Sequence, residues 1–197
     1  MSTQAYVAVI GASNATEWEL ATAERVGRLL ADAGCVLVCG GLGGVMDAAA
    51  RGAAAGGGIS IGILPGDDRE DASRHLTVAI ASGFGEARNA IVARSSDAVV
   101  AVGGEFGTLS EIALALKMGK PVIGVGTWEL GRDDLATDPI VRAETPEEAV
   151  AETRRRTRAY AKRQMTWLRA ERNVHWVDGS DPENAFNAAL RLIEVGI

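Results

Sequence analysis

Six short apolar runs rich in β-branched residues, most of them stopped by glycine and separated by stretches of helical periodicity, constrain this chain most. The runs are 6–11 (YVAVIG), 35–39 (CVLVC), 59–64 (ISIGIL), 76–81 (LTVAIA), 97–102 (DAVVAV) and 122–125 (VIGV). Runs that are apolar throughout, rather than alternating, read as strands covered on both faces. Between the first two lies a stretch, 17–33, that places Trp18, Ala21, Val26, Leu29 and Leu30 on one helical face, with Gly34 past its end. Further helices are expected from the loop after Cys39 through Ala55, from about Glu86, and over 108–118. Strands alternating with helices predict an α/β fold, a Rossmann-like parallel sheet with helices on both faces. In such sheets ligands sit beyond the carboxyl ends of the strands.

Glycine supports the same reading. The chain has 24 among 197 residues, about 12% against a usual share of roughly 7%. They cluster at strand ends, where backbone must come close to a ligand. With 47% hydrophobic residues the chain can bury a core. No stretch approaches about 20 uninterrupted apolar residues, so no membrane span is expected. The start, MSTQAYVAVIGAS, lacks the basic region of an export signal, and two cysteines do not make a disulfide scaffold. A cytoplasmic location is the expectation.

Charge divides the chain in two. Of 20 basic and 26 acidic residues, 151–172 holds eight and two, net +6, which leaves 12 and 24 elsewhere, net −12. We therefore divide the chain into an α/β domain over 1–150 and a basic helical extension over 151–197. Such a segment is either a tail with its own partner or a solvated helix face docked on an acidic body.

Familiar phosphate motifs are absent. The first strand ends Gly11-Ala12-Ser13-Asn14, and the second leads into Gly41-Leu42-Gly43-Gly44-Val45-Met46, so no Gly-x-Gly-x-x-Gly fingerprint is present. Gly119-Lys120 is followed by Pro121 and is no Walker loop. Cys35 and Cys39 read as core residues, and His75 and His175 as surface or structural ones, so no metal site is expected. Two loops remain. Gly40-Gly41-Leu42-Gly43-Gly44-Val45-Met46-Asp47 joins a strand to a helix, where successive backbone N–H groups can turn toward an anion. Gly103-Gly104-Glu105-Phe106-Gly107-Thr108-Leu109-Ser110-Glu111 does the same after a later strand. Thr108 adds a hydroxyl. Glu111, three residues on, is either a working carboxylate or the capping-box partner of Thr108. Arg88, beside Asn89, offers a bidentate fork for phosphate or a base edge, or is a surface residue.

Taken together, Gly40 to Met46, Ala87-Arg88-Asn89, Arg94, Ser96-Asp97-Ala98 and Gly107-Thr108-Leu109-Ser110-Glu111 resemble the LOG ("Lonely Guy") family of cytokinin riboside 5'-monophosphate phosphoribohydrolases, over residues 5–150. The resemblance implies a Rossmann-like fold, a homodimer or higher homo-oligomer, and a site for a nucleoside monophosphate such as AMP. It implies a catalytic pair, Arg88 and Glu111. Substrate and phosphate would be held by Gly41, Gly43, Gly44, Met46, Asn89, Gly103, Gly104, Gly107 and Thr108. No metal or redox cofactor is implied. Among the departures from the family pattern, Glu105 stands where a glycine is usual, and Ala87-Arg88-Asn89 where Glu-Arg-Lys is usual, which loses one positive charge. The function expected is hydrolysis of the N-glycosidic bond of an adenosine 5'-monophosphate derivative. The alternative is a non-catalytic nucleotide or cofactor carrier, of the kind that carries molybdenum cofactor.

The extension holds a second resemblance. Its run Thr157-Arg158-Ala159-Tyr160-Ala161-Lys162-Arg163-Gln164-Met165-Thr166-Trp167-Leu168-Arg169, followed by Trp176-Val177-Asp178, is similar to the C-terminal end of bacterial tRNA dimethylallyltransferases. A basic helix with Tyr160 and Trp167 interleaved suits RNA phosphates and bases, so RNA contact through 153–172 is one expectation. The other is an oligomerisation helix, since Tyr160, Gln164, Trp167 and Leu168 share a face. Asp181-Pro182 then caps a last helix carrying Phe186, Ala189, Leu190 and Ile193.

Overall fold

The computed structural model describes residues 4–131, 133 and 135–170, with the side chains of 160–165 and 167–170 left aside. Expectations for Tyr160, Gln164, Trp167, Leu168, His175, Trp176 and the helix after Pro182 therefore lie outside the described residues. The chain separates into two compact units, Met1–Tyr160 and Ala161–Ile197. The first carries seven strands: β1 (Tyr6–Gly11), β2 (Val36–Cys39), β3 (Ser60–Leu64), β4 (Val78–Ala81), β5 (Ala98–Val102), β6 (Val122–Val125) and β7 (Val141–Arg142). They form one sheet in the order β4-β3-β2-β1-β5-β6-β7, and every pairing is parallel. The order reverses between β1 and β5, so the chain leaves these neighbours toward opposite faces and opens a crevice at their carboxyl ends.

The helices are α1 (Glu17–Asp32), α2 (Val45–Ala55), α3 (Asn89–Arg94), α4 (Phe106–Lys117) and α5 (Pro146–Ala170). Alternation along the central strands feeds two cores. Val7 and Val9 point to the face covered by α1 and α2, with Val26, Leu30, Ala49 and Ala53. Ala8 and Ile10 point to the face covered by α3 and α4, with Val92, Ile112 and Ala115. Thr16 caps α1 through a full capping box with Glu19, which fixes where the chain turns after β1. The α1–α2 contact is close because Gly27 and Gly52 have no side chain. A Cβ on either would run into the carbonyl oxygen of Ala49 or Glu24. Gly52→Val is therefore expected to destabilise the protein by about 3 kcal/mol or more, read by chemical denaturation. Wild-type stability would show that these helices can separate freely.

Several boundaries differ from the sequence reading. Leu76 and Thr77 do not join β4; Thr77 N donates to Ser60 O at 3.1 Å and Leu76 packs beneath Gly62. β4 is an edge strand, with Val78 and Ile80 exposed, rather than a strand covered on both faces. The helix expected from Glu86 is a 3-10 turn, Gly85–Arg88, running into α3. α4 starts at Phe106, two residues early. β7, two residues long, gave no run to read. Among the described residues no helix is long and apolar enough to cross a membrane.

Candidate functional site

Both glycine loops lie at the carboxyl ends of strands, the first after β2 and the second after β5. Gly44 caps α2 and sits against the carbonyls of Ala12 and Ser13, while a side chain at Gly43 would meet nothing. The α2 N-terminus thus presents an open stretch of backbone, with Met46 buried behind it. In the second loop Gly104 has φ 111°, and a Cβ there would meet Thr108 Oγ1 at 2.7 Å. Only glycine lets this loop close over the threonine, which is itself buried. Gly103 rests against the Glu19 carboxylate and donates its N–H to Val125 O at 3.1 Å. Gly107 faces open space. Glu105 is exposed and lends its carbonyl to Trp128 Nε1 at 3.3 Å.

Because α4 begins at Phe106, with Glu105 as its cap, Thr108 is not a capping residue and Glu111 belongs to the second turn. The capping-box alternative does not hold. Glu111 is 7% exposed and faces Arg88, also 7% exposed, with Nη1 3.5 Å from Oε1. Burial pushes the Glu111 carboxyl up to about 7, against the opposing pull of Arg88; the neighbouring Glu86 charge pushes the same way as burial. Arg88 therefore does not lie at the surface. Its guanidinium lies against Gly40, where a Cβ would come within 2.6 Å of Cζ. Among the described residues its Nε is the one buried side-chain nitrogen or oxygen without a hydrogen-bond partner. A loose buried ion pair with a spare donor is costly to maintain unless something else binds there.

Asn89 is buried, and its Nδ2 donates to Ser110 Oγ at 2.9 Å; that hydroxyl donates to Gly107 O at 2.6 Å. It ties α3 to the first turn of α4. Cys39 is buried beneath Gly40 and its thiol is pushed up to about 12 by desolvation, so it stays protonated. Among the described residues no three His, Cys, Asp or Glu are grouped to hold a metal ion.

Sequence reasoning missed a polar network beside the first loop. Asp47 Oδ1 accepts from Ser73 Oγ at 2.6 Å and lies 3.0 Å from His75 Nδ1, while Arg51 Nη1 is 3.4 Å from Oδ2. Burial opposes it, yet the bonds from Ser73 and His75 hold the Asp47 carboxyl below its usual range. Ser73 N also donates to Gly41 O at 2.9 Å, so the segment after β3 is laced to the first glycine loop. The partners are 26 and 28 residues apart, and no local pattern announces them.

Known proteins share this outline. Residues 4–157 match the sequence model of the SLOG cluster4 family. An uncharacterized protein of Archaeoglobus fulgidus is 44% identical over 144 residues, 73% of this chain and 91% of that protein. The molybdenum cofactor binding protein of Rippkaea orientalis superposes with a TM-score of 0.71 at 37% identity, covering 79% of this chain and 98% of the other. A tRNA dimethylallyltransferase of Synechococcus sp. is 48% identical over 50 residues, which is 25% of this chain and only 15% of the transferase.

Proposed function

The chain belongs to the SLOG cluster4 family, and on that premise we propose that it hydrolyses the N-glycosidic bond of an adenosine 5'-monophosphate derivative, giving free base and ribose 5-phosphate. The observation that carries this reading is the buried Arg88–Glu111 pair between two glycine loops. The loop amides and Thr108 hold the 5'-phosphate, converting binding energy into position. Water oxygen bonds to the anomeric carbon as the carbon–nitrogen bond breaks; the electron pair leaves with the base, which takes up a proton. The ionised Glu111 carboxylate offsets the positive charge that develops on the sugar and accepts the proton of the attacking water. Arg88, with an unpaired Nε, orients the nucleotide and assists departure of the base. The test is chromatography of products after incubation with AMP and with isopentenyl-adenosine monophosphate.

A second reading is favoured by the Rippkaea orientalis neighbour: a carrier of molybdenum cofactor. Glycine loops and Arg88 suit the phosphate of such a cofactor. Since no side-chain cluster among the described residues is grouped to bind a metal, the cargo would be held through its organic part. Glu111 counts against this reading. A carboxylate buried in the cradle repels an anionic cargo, whereas it assists a reaction that develops positive charge.

For the extension we propose RNA contact, supported by the similarity to the transferase. On α5, Arg155 and Arg156 both pair with Glu152. Arg154 and Arg158 are exposed and have no carboxylate partner among the described residues. If these two contact phosphates, reversing both to glutamate lowers the slope of log affinity against log salt by about 1.4, at about 0.7 per contact on a single strand. Unchanged slope and affinity for a single-stranded RNA would overturn it.

A further inference from the structure

An exposed apolar ring stands beyond the carboxyl end of the sheet, and among the described residues no ring packs on it. Phe84 follows β4 at the carboxyl end of the sheet, the end that carries both glycine loops, and is 64% exposed. Burying such a ring would stabilise the protein, and this ring is instead held out. Gly83 and Gly85, at φ 66° and 52°, flank it in a backbone conformation that side chains resist. Their amides are anchored to the neighbouring strand end: Gly83 N donates to Gly66 O at 2.8 Å and Gly85 N to Pro65 O at 2.9 Å. Phe84 N donates to Ser82 Oγ at 3.3 Å, and its carbonyl accepts from Ala87 N at 3.1 Å. The ring therefore sits on a braced backbone rather than a free loop.

Its place in the chain ties it to the chemistry. Phe84 caps the 3-10 turn whose last residue is Arg88. Four residues of such a turn advance roughly 8 Å, on the scale of a purine and its glycosidic bond. Phe106 is the more exposed ring, but it has an aromatic partner in Trp128, with ring centroids 5.5 Å apart, which Phe84 lacks among the described residues. From this placement we propose that Phe84 is the face on which the base of the bound nucleotide stacks, and so the residue that selects a planar heteroaromatic ring. The inference rests on the nucleotide reading above and assigns the base end of that site.

Titration calorimetry with AMP and with ribose 5-phosphate tests it, because the two ligands share phosphate and sugar and differ in the base. Phe84→Ala is expected to weaken AMP by about 10-fold or more and to leave ribose 5-phosphate unchanged, whereas Phe84→Tyr keeps both. AMP affinity unaltered in Phe84→Ala overturns the stacking role and leaves the nucleotide reading standing. So does equal weakening of both ligands, which would mean that the ring acts only by holding Arg88. If sedimentation shows that Phe84→Ala dissociates a wild-type oligomer, the ring belongs to an interface with a second copy and the proposal is wrong. Wild-type protein that binds neither ligand overturns the nucleotide reading and this inference together.

Discussion

Glu111→Gln is expected to slow turnover by orders of magnitude while making the protein more stable at alkaline pH. The substitution keeps shape and removes the charge, so loss of the carboxylate's work on water and sugar lowers kcat by about 100- to 10,000-fold. Stability moves the other way. Unfolded, a glutamate titrates near 4.5; in the fold Glu111 titrates at about 7. Between those values the folded chain keeps a proton that the unfolded chain has released, so stability falls as pH rises through the window and levels off above it. The full penalty is about 3 kcal/mol. Glutamine never incurs it. Thermal melts at pH 4, below both values, should therefore nearly coincide, and at pH 8 the variant should melt several degrees higher. A variant that melts below wild type at pH 8 would show that ionised Glu111 stabilises the fold and that its pKa is not raised.

Arg88→Met carries the second large effect. Arg88 is the one group that draws the Glu111 pKa down; without it burial and the Glu86 charge act unopposed and the carboxyl titrates higher still. The rising limb of kcat/KM against pH, which follows ionisation of Glu111, should move to higher pH. Turnover at pH 7 should fall by about 100-fold or more, because a positioned donor is lost as well. Weakened binding of nucleotide with an unmoved pH limb would mean that Arg88 holds phosphate without touching the acid. That outcome would separate the pair into two unrelated residues.

The frame of this fold is legible because its central strands are apolar on both faces and end in glycine. β1, β2, β3, β5 and β6 all lie within the runs that the sequence offers. Legibility fails where tertiary contacts, not local pattern, decide. Leu76 reads as strand but is drawn under Gly62, and β7 pairs for two residues only. The start of α4 shows the same limit: Thr108 followed by Glu111 imitates a capping box, and the helix begins earlier because the glycine loop ends at Glu105. Arg88 and Glu111 are 23 residues apart, and the LOG resemblance, not spacing, marked them as partners. Asn89, expected to contact substrate, donates its amide to Ser110. The Asp47–Ser73–His75 network and the raised ring of Phe84 depend on how the segments after β3 and β4 fold back, which no periodicity encodes.

A crystal structure of Glu111→Gln soaked with AMP tests the central claim most directly, since the slow variant should hold the intact nucleotide. The account predicts phosphate on the amides of the glycine loops and the anomeric carbon within about 3.5 Å of the substituted amide side chain, or of a water bound to it. A nucleotide bound elsewhere, or one bound with its sugar turned away from that side chain in every copy, would contradict it.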